Sequence, residues 1–408
     1  MRNRQVIIVG GGASGLVAAI TAARNGADVL IIEQKERLGK KILSTGNGRC
    51  NYTNEYMCSN CFRSDEMSIV EKILDKFGYQ ETIDFFEELG IIPKNRQGYI
   101  YPITDQAANV ADVLAMEIEK LNVKVLLEEC VKKISKDADI FVVKTDKASY
   151  LCDSVVLSTG GKASPVLGSD GSGYELAKSF GHTISPVVPA LVQLVANHKC
   201  FKVVAGVRCN ATVNLCINDE LRASDTGELQ LTGYGISGIP VFQVSRYASK
   251  ALIEKKKVFV EIDFLPNMSE IELQDYISTR KHTHGNRSAE NFFVGMLHSK
   301  VAMMLLKEAY IPLHISANEI RDDKWIKLLE LIKHFRLEIT DTNSFDQAQI
   351  CAGGISTKEI NSDTLESVYV KNLYLTGELL DVDGICGGYN LQWAWATGFI
   401  AGEQAAKG

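Results

Sequence analysis

The sequence predicts an α/β chain: a Rossmann-type dinucleotide-binding domain in two parts, with an inserted β-rich domain and a helical subdomain between them. Three observations predict it. A strand, a glycine turn, a helix, a second strand and an acidic residue follow one another from Val6 to Glu33. From about Pro189 the texture changes to short alternating β-rich runs, then to helical periodicity. A strand ending in Thr376-Gly377-Glu378 and a further glycine turn then return to the first texture. The expected divisions are 1–190 and 351–408 for the two parts of the nucleotide domain, 191–265 with 336–350 for the β-rich insert, and 266–335 for the helical subdomain.

Val6-Ile7-Ile8-Val9 has the β-branched composition of a buried parallel strand. Gly10-Gly11-Gly12-Ala13-Ser14-Gly15 follows at once and fits G-x-G-x-x-G. Gly10 permits the tight turn, Gly12 lets a pyrophosphate approach the backbone, and Gly15 lets the following helix pack on the sheet. That helix, Leu16 to Asn25, presents free N–H groups and a partial positive charge at its start, where Ala13 and Ser14 lie. Val29 to Ile32 is the second strand, ending in Glu33 and Gln34. Glu33 stands where a carboxylate accepts hydrogen bonds from a ribose diol and repels a 2′-phosphate.

The next dense stretch is a cationic glycine loop, Gly39 to Asn51, too rich in Gly and Asn to read as a helix. Ser44, Gly46, Asn47, Gly48, Cys50 and Asn51 supply polar groups and backbone N–H, and Lys40, Lys41 and Arg49 supply charge, for wrapping a ligand. Cys58-Ser59-Asn60-Cys61 has the spacing of a redox or zinc pair. It lacks the strand-before, helix-after context of a redox pair, and no second pair completes a zinc site, so ordinary thiols are the expectation.

Residues 66–90 and 105–121 read as amphipathic helices, Tyr99 to Pro102 and Val123 to Leu127 as strands, and 131–145 as a hairpin. Asp153 to Gly161 is a buried strand running into Thr159-Gly160-Gly161, and 168–184 carries a further helix. Residues 191–262 read as short strands with turns about every ten residues, and 269–334 as helical. His282 and His284 are two apart and do not share a helix face, so no metal site is expected. Leu373 to Glu378 is a strand, Asp381-Val382-Asp383-Gly384 and Gly387-Gly388-Tyr389-Asn390 form the turn, and Leu391 to Ala406 is a helix.

The bulk numbers narrow the function. The chain has 408 residues, 46% hydrophobic and 23% charged, as in an ordinary globular protein. A net charge of −6 argues against a nucleic-acid partner. No apolar run reaches the length of a membrane span, and no signal peptide is read. Ten scattered cysteines fit a reducing, cytoplasmic setting. The pattern leaves the oligomeric state open.

Three glycine-ended strands, at 10–15, 159–161 and 377–390, converge on one long dinucleotide. A NAD enzyme needs only the first; a C-terminal strand and helix returning to the N-terminal unit is the pattern of an FAD domain with an insert. No second G-x-G-x-x-G unit has the strand–helix–strand context of a dinucleotide site, so NAD(P)H, as electron donor, would dock transiently without a Rossmann domain of its own.

The sequence resembles a family at this point. The residues that carry it are Gly10 to Gly15, the Gly46-Asn47-Gly48-Arg49-Cys50-Asn51 loop, Gly227 to Gly238, Ala352-Gly353-Gly354, and Gly377 to Gly384 through Gly388-Tyr389-Asn390-Leu391-Gln392-Trp393-Ala394. Over essentially its whole length the chain is similar to the bacterial NAD(P)/FAD-dependent oxidoreductases that include a clostridial 3-dehydro-bile acid delta(4,6)-reductase. The resemblance implies FAD contacts at Ser14, Glu33, Lys40, Lys41, Asn51, Val131, Glu378, Asn390 and Leu391. Gly233 stands where many members carry His, so no role of that His is carried over.

The expected chemistry is reduction of an activated C=C bond, in an enone of 3-oxo-steroid or bile-acid type, by hydride from flavin N5. The substrate is a small hydrophobic molecule. Tyr234 and Tyr389 are candidates for the proton donor, and Arg49 for stabilising the enolate. The alternatives are an FAD-dependent amine oxidase or dehydrogenase, and a non-enzymatic flavin redox sensor.

Overall fold

A computed structural model describes residues 3–408. The chain forms two compact units, one from residues up to Val188 together with Gln349–Gly408, the other from Pro189–Ala348.

The first unit is organised on a five-stranded parallel sheet. Its order is Leu373–Leu375, Ser154–Leu157, Gln5–Val9, Asp28–Ile32 and Lys124–Leu126. The strands are short and almost wholly apolar because helices cover the sheet. The three strands that the sequence predicts to end in glycine turns are neighbours, and all three carboxyl ends open on the same edge. A parallel α/β sheet binds its ligand at that edge.

Two helices cross beside it. Ala13–Arg24 follows the first turn, and the C-terminal helix Tyr389–Lys407 packs against it. The approach is close: a Cβ at Gly398 would lie 2.3 Å from the Ser14 carbonyl oxygen, and one at Gly402 2.3 Å from that of Ala18. The i, i+4 glycines therefore clear a flat stripe along one face.

The second unit is a closed six-stranded antiparallel barrel. Its order is Leu194–Ala196, Gly235–Gly238, Glu220–Leu231, Arg208–Ile217, Val258–Asp263 and Phe335–Thr342. Closure leaves no edge strand. Helices Glu270–His284, Ser299–Glu308 and Asp322–Lys333 fill the predicted helical stretch. The first begins on a capping box: Ser269 Oγ accepts from Glu272 N, and the Glu272 carboxylate accepts from Ser269 N at 2.7 Å.

Several expectations are corrected. Within 191–262 the structure places a fifteen-residue helix, Ile239–Ile253, where only strands are predicted. Gly238 (φ 106°) ends the strand, Pro240 sits in the first turn, and Val241, Val244, Ala248 and Ala251 are buried at helical spacing. Residues 131–145 do form a hairpin, but Ser149–Cys152 adds a third strand to it. The helix expected across 168–184 is only Ser172–Lys178. The glycine loop contains 3-10 turns from Ile42 to Gly48, interrupted at Thr45, Gly46 and Asn47, whose backbones leave the helical region. Among the described residues no helix is long and apolar enough to cross a membrane.

Candidate functional site

A cleft opens over the carboxyl edge of the parallel sheet. Its empty space, including the part open to solvent, is about 1230 Å³. Both predicted helix starts face it. At the first, the helix's opening bond runs from Leu16 N to Gly12 O at 2.9 Å, so the N–H groups of Ala13 and Ser14 have no intrahelical acceptor. At the second, Gln392 N bonds Gly388 O at 2.9 Å, which leaves Asn390 and Leu391 likewise. All four residues line the cleft.

The glycine turn between the first strand and helix has distinct parts. Gly10 has φ 102°, and a Cβ there would lie 2.5 Å from the Ser158 carbonyl oxygen of the neighbouring strand. A Cβ at Gly15 would lie 2.0 Å from Gly10 O. Gly12 is the opposite case: a Cβ would meet nothing within 4 Å, because its position faces open space. The turn is thus locked beneath and open above, which is the cradle a pyrophosphate needs.

Glu33 is buried at the end of the second strand. One carboxylate oxygen accepts from Gly11 N at 2.7 Å and the other from Lys35 N at 2.8 Å. Burial raises its pKa, and the backbone donors, Gly11 foremost, work against that. Glu129 is a second buried carboxylate in the lining; Thr145 Oγ1 donates to it at 2.6 Å and Tyr150 OH at 2.9 Å. At the other end, Lys41 Nζ pairs with Glu378 at 2.8 Å, and Glu378 also accepts from Cys351 N at 2.7 Å. The Cys351 thiol is buried behind this pair and pushed up to about 12 by that burial.

Of the residues predicted at a cofactor, the cleft brings together Gly10, Gly12, Ala13, Ser14, Glu33, Gln34, Lys40, Lys41, Val131, Thr159, Gly160, Glu378, Asn390 and Leu391. Gly15, Ser44, Gly46, Asn47, Gly48, Arg49, Cys50, Asn51, Gly377, Asp383, Gly388 and Tyr389 are not in its lining. Arg49 is exposed. Cys50 is fully buried, its thiol pushed up to about 12. Tyr389 is buried, and its hydroxyl is hydrogen-bonded to the Cys61 thiol and raised in pKa chiefly by burial. Tyr234 belongs to the inserted unit, where its hydroxyl accepts from Asn343 Nδ2 at 3.2 Å.

The structure adds Gly11, Arg37, Thr45, Glu129, Ser158, Ser169, Ser172, Gln349 and Trp393 to the lining. Ser158 had a signal, since it directly precedes the Thr-Gly-Gly turn. Gln349 had none: it arrives only because the chain re-enters the first unit there.

The set fits a dinucleotide: two helix starts for anionic groups, an open glycine backbone between them, and a buried carboxylate at ribose distance along the sheet edge. FAD would be held at its pyrophosphate by the first turn, at its ribose by Glu33, and at its ring by the start of the C-terminal helix.

The chain is 50% identical over 402 residues to the 3-dehydro-bile acid delta(4,6)-reductase of Clostridium scindens, covering 98% of both chains. It is 30% identical over 411 residues to the ribosomal RNA dihydrouridine synthase of Escherichia coli, covering 100% of each. A solved structure of the 3-ketosteroid-delta4-(5alpha)-dehydrogenase from Rhodococcus jostii RHA1 aligns at a TM-score of 0.49 with 15% identity, covering 100% of this chain and 98% of that one. The family described as HI0933-like protein Rossmann domain matches residues 4–404, and the chain belongs to that family.

Proposed function

We propose that this protein is an FAD-dependent reductase that uses NAD(P)H to reduce a carbonyl-activated C=C bond in a 3-oxo-steroid or bile-acid type enone. The observation that carries the reading is the 50% identity, over 98% of both chains, to a bile-acid reductase, set beside a cleft furnished for one long dinucleotide. When bound, FAD supplies hydride chemistry. The chain's own residues do the rest. Ala13 and Ser14 N–H groups take up negative charge at the pyrophosphate. Glu33 orients the ribose. Asn390 and Leu391 N–H groups place the positive end of a nineteen-residue helix where the ring gains negative charge. Tyr389, which keeps its proton because it is buried, and Tyr234 are the tyrosines to be tested as proton donors.

The test is anaerobic rapid mixing of the yellow protein with NADH and with NADPH, followed by absorbance near the flavin maximum. Bleaching by one of them, and recovery on adding a 3-oxo bile-acid enone, is the expected result. A uridine-containing ribosomal RNA fragment goes into the same assay, because the Escherichia coli relative is a dihydrouridine synthase. Recovery with RNA and not with the enone would overturn the substrate class, and a protein that takes up no flavin would overturn the whole reading. The net charge of −6 supports the small-molecule side.

A further inference from the structure

Outside the cleft lining, the structure brings two of the ten cysteines into sulfur contact. Cys58 Sγ and Cys61 Sγ lie 3.6 Å apart across the single 3-10 turn Ser59–Cys61. The turn is closed by Cys61 N donating to Cys58 O at 3.0 Å. The two thiols are unlike. Cys58 is half-buried at a surface turn, and the exposed Tyr56 hydroxyl hydrogen-bonds its sulfur and holds the thiol below its ordinary range. Cys61 is buried, its thiol raised by that burial; it donates to the Tyr56 carbonyl oxygen at 3.9 Å, and its sulfur accepts from the Tyr389 hydroxyl. Every other thiol with a resolved shift among the described residues moves upward.

The pair is also wired into the wall of the first unit. Cys61 O accepts from Ile385 N at 2.9 Å, and the strand that follows it, Phe62–Ser64, pairs antiparallel with Val382–Gly384. Tyr389, its side-chain partner, is the first residue of the C-terminal helix.

We infer that Cys58 and Cys61 form a thiol–disulfide exchange site whose substrate is a low-molecular-weight disulfide. Cys58 is the attacking thiol and Cys61 the resolving one. The Cys58 sulfur attacks one sulfur of the small disulfide; that S–S bond breaks, a mixed disulfide forms, and the first small thiol leaves with the proton lost from Cys58. The Cys61 sulfur then attacks the Cys58 sulfur; the mixed disulfide breaks, the second small thiol leaves with the Cys61 proton, and a Cys58–Cys61 bond remains. Two protein thiols are oxidised and one disulfide is reduced. The inference does not rest on the flavin reading, since neither step uses a cofactor.

The test equilibrates the native, purified protein with glutathione buffers of rising disulfide content. Remaining thiols are then alkylated and the modified positions mapped by mass spectrometry. The expected result is the loss of two of the ten thiols as one bridge between Cys58 and Cys61. In Cys61→Ser, or Cys61→Ala should that variant fold poorly, one glutathione adduct accumulates on Cys58. In Cys58→Ser neither bridge nor adduct forms at Cys61. Ten alkylated thiols even where the disulfide form of glutathione is in large excess over the thiol form, or adducts on other cysteines with Cys58 spared, would overturn the inference.

Discussion

The two helix starts that face the cleft are built in opposite ways. The first is local. Gly15 packs on Gly10 O and Gly11 N donates to the Glu33 carboxylate 22 positions away, all within one stretch, and the approach of Gly10 to Ser158 O is its contact from far along the chain. The second is held from far along the chain. Gln392, fully buried one turn into its helix, accepts from Thr53 Oγ1 at 2.6 Å and Thr82 Oγ1 at 2.8 Å, and donates to Phe77 O at 2.9 Å and Gly78 O at 3.0 Å. Trp395 Nε1 reaches Tyr52 O at 3.0 Å, and Asn54 Nδ2 reaches Gly387 O at 3.0 Å. Its short-range clasps are the Asn390 side chain, bonded to both N and O of Gly384, and the bonds of Gly377 O from Trp393 Nε1 at 3.1 Å and of Gly377 N to Thr397 Oγ1 at 3.0 Å. The contrast shows that one electrostatic feature, a helix N-terminus aimed at a ligand, needs either glycines in sequence or a satisfied polar network in space.

Breaking each start should therefore fail differently. The largest effect is expected at Gln392→Ala, which takes a partner from the buried Thr53 and Thr82 hydroxyls and from Phe77 O and leaves a cavity. About 4 kcal/mol of stability should go, read as a lower midpoint in urea unfolding, even in protein free of cofactor. A loss under about 1 kcal/mol would mean that the network is not what holds the second start. Gly15→Ala comes next. Its Cβ would sit 2.0 Å from Gly10 O, so the first helix must move off the sheet. Overpacking of this kind costs about 1–3 kcal/mol, and the purified protein should also come out colourless, because the pyrophosphate cradle moves with the helix. Retained flavin after gel filtration would count against the cradle.

Glu33→Gln sharpens the comparison without breaking the fold. The amide nitrogen cannot accept, so one of Gly11 N and Lys35 N loses its partner and the ribose loses a charged acceptor. FAD should bind roughly thirtyfold more weakly, about 2 kcal/mol, measured by quenching of flavin fluorescence.

The smallest effect is a pH dependence away from both starts. His182 is buried, with Nδ1 3.2 Å from Glu359 and Nε2 2.8 Å from Ser367 Oγ. Burial lowers its pKa below the ordinary 6.5, so it is neutral near pH 7 and its contact with Glu359 is a hydrogen bond rather than an ion pair. The unfolded chain takes up the proton first as pH falls. Stability is thus fully present above 6.5 and declines from 6.5 down toward the lower folded value. Glu359, lowered in pKa despite its burial by bonds led by that from Thr183, adds a further loss below its ordinary 4.5. His182→Gln should flatten the dependence of Tm on pH as pH falls below 6.5. An unchanged slope would assign the acid sensitivity elsewhere.

Much of this molecule was legible in its sequence where neighbouring residues set the physics. The β-branched Val6–Val9 run, the glycine turn and Glu33 specify a βαβ start because the hydrophobic period, the positive φ and the acid all act within about thirty residues. The helix Ile239–Ile253 is not legible because it lies between the strands Gly235–Gly238 and Val258–Asp263, in a run whose β-rich texture masks its period. The Gly39–Asn51 loop was legible from composition as irregular and cationic, but which of its groups reach the cleft was not: Lys40, Lys41, Ile42 and Thr45 do, and Arg49 is exposed.

By itself, then, the sequence determined the class of fold, the order of its parts and the first half of the nucleotide cradle, since short-range sterics and periodicity decide those. The tertiary structure alone decided that Gln392 would be clasped by Thr53 and Thr82, that Glu129 and Gln349 would join the cleft, and that the Cys61 thiol would meet Tyr389. Those pairings depend on which buried polar groups meet across the packed core, and no local rule in the chain encodes that meeting.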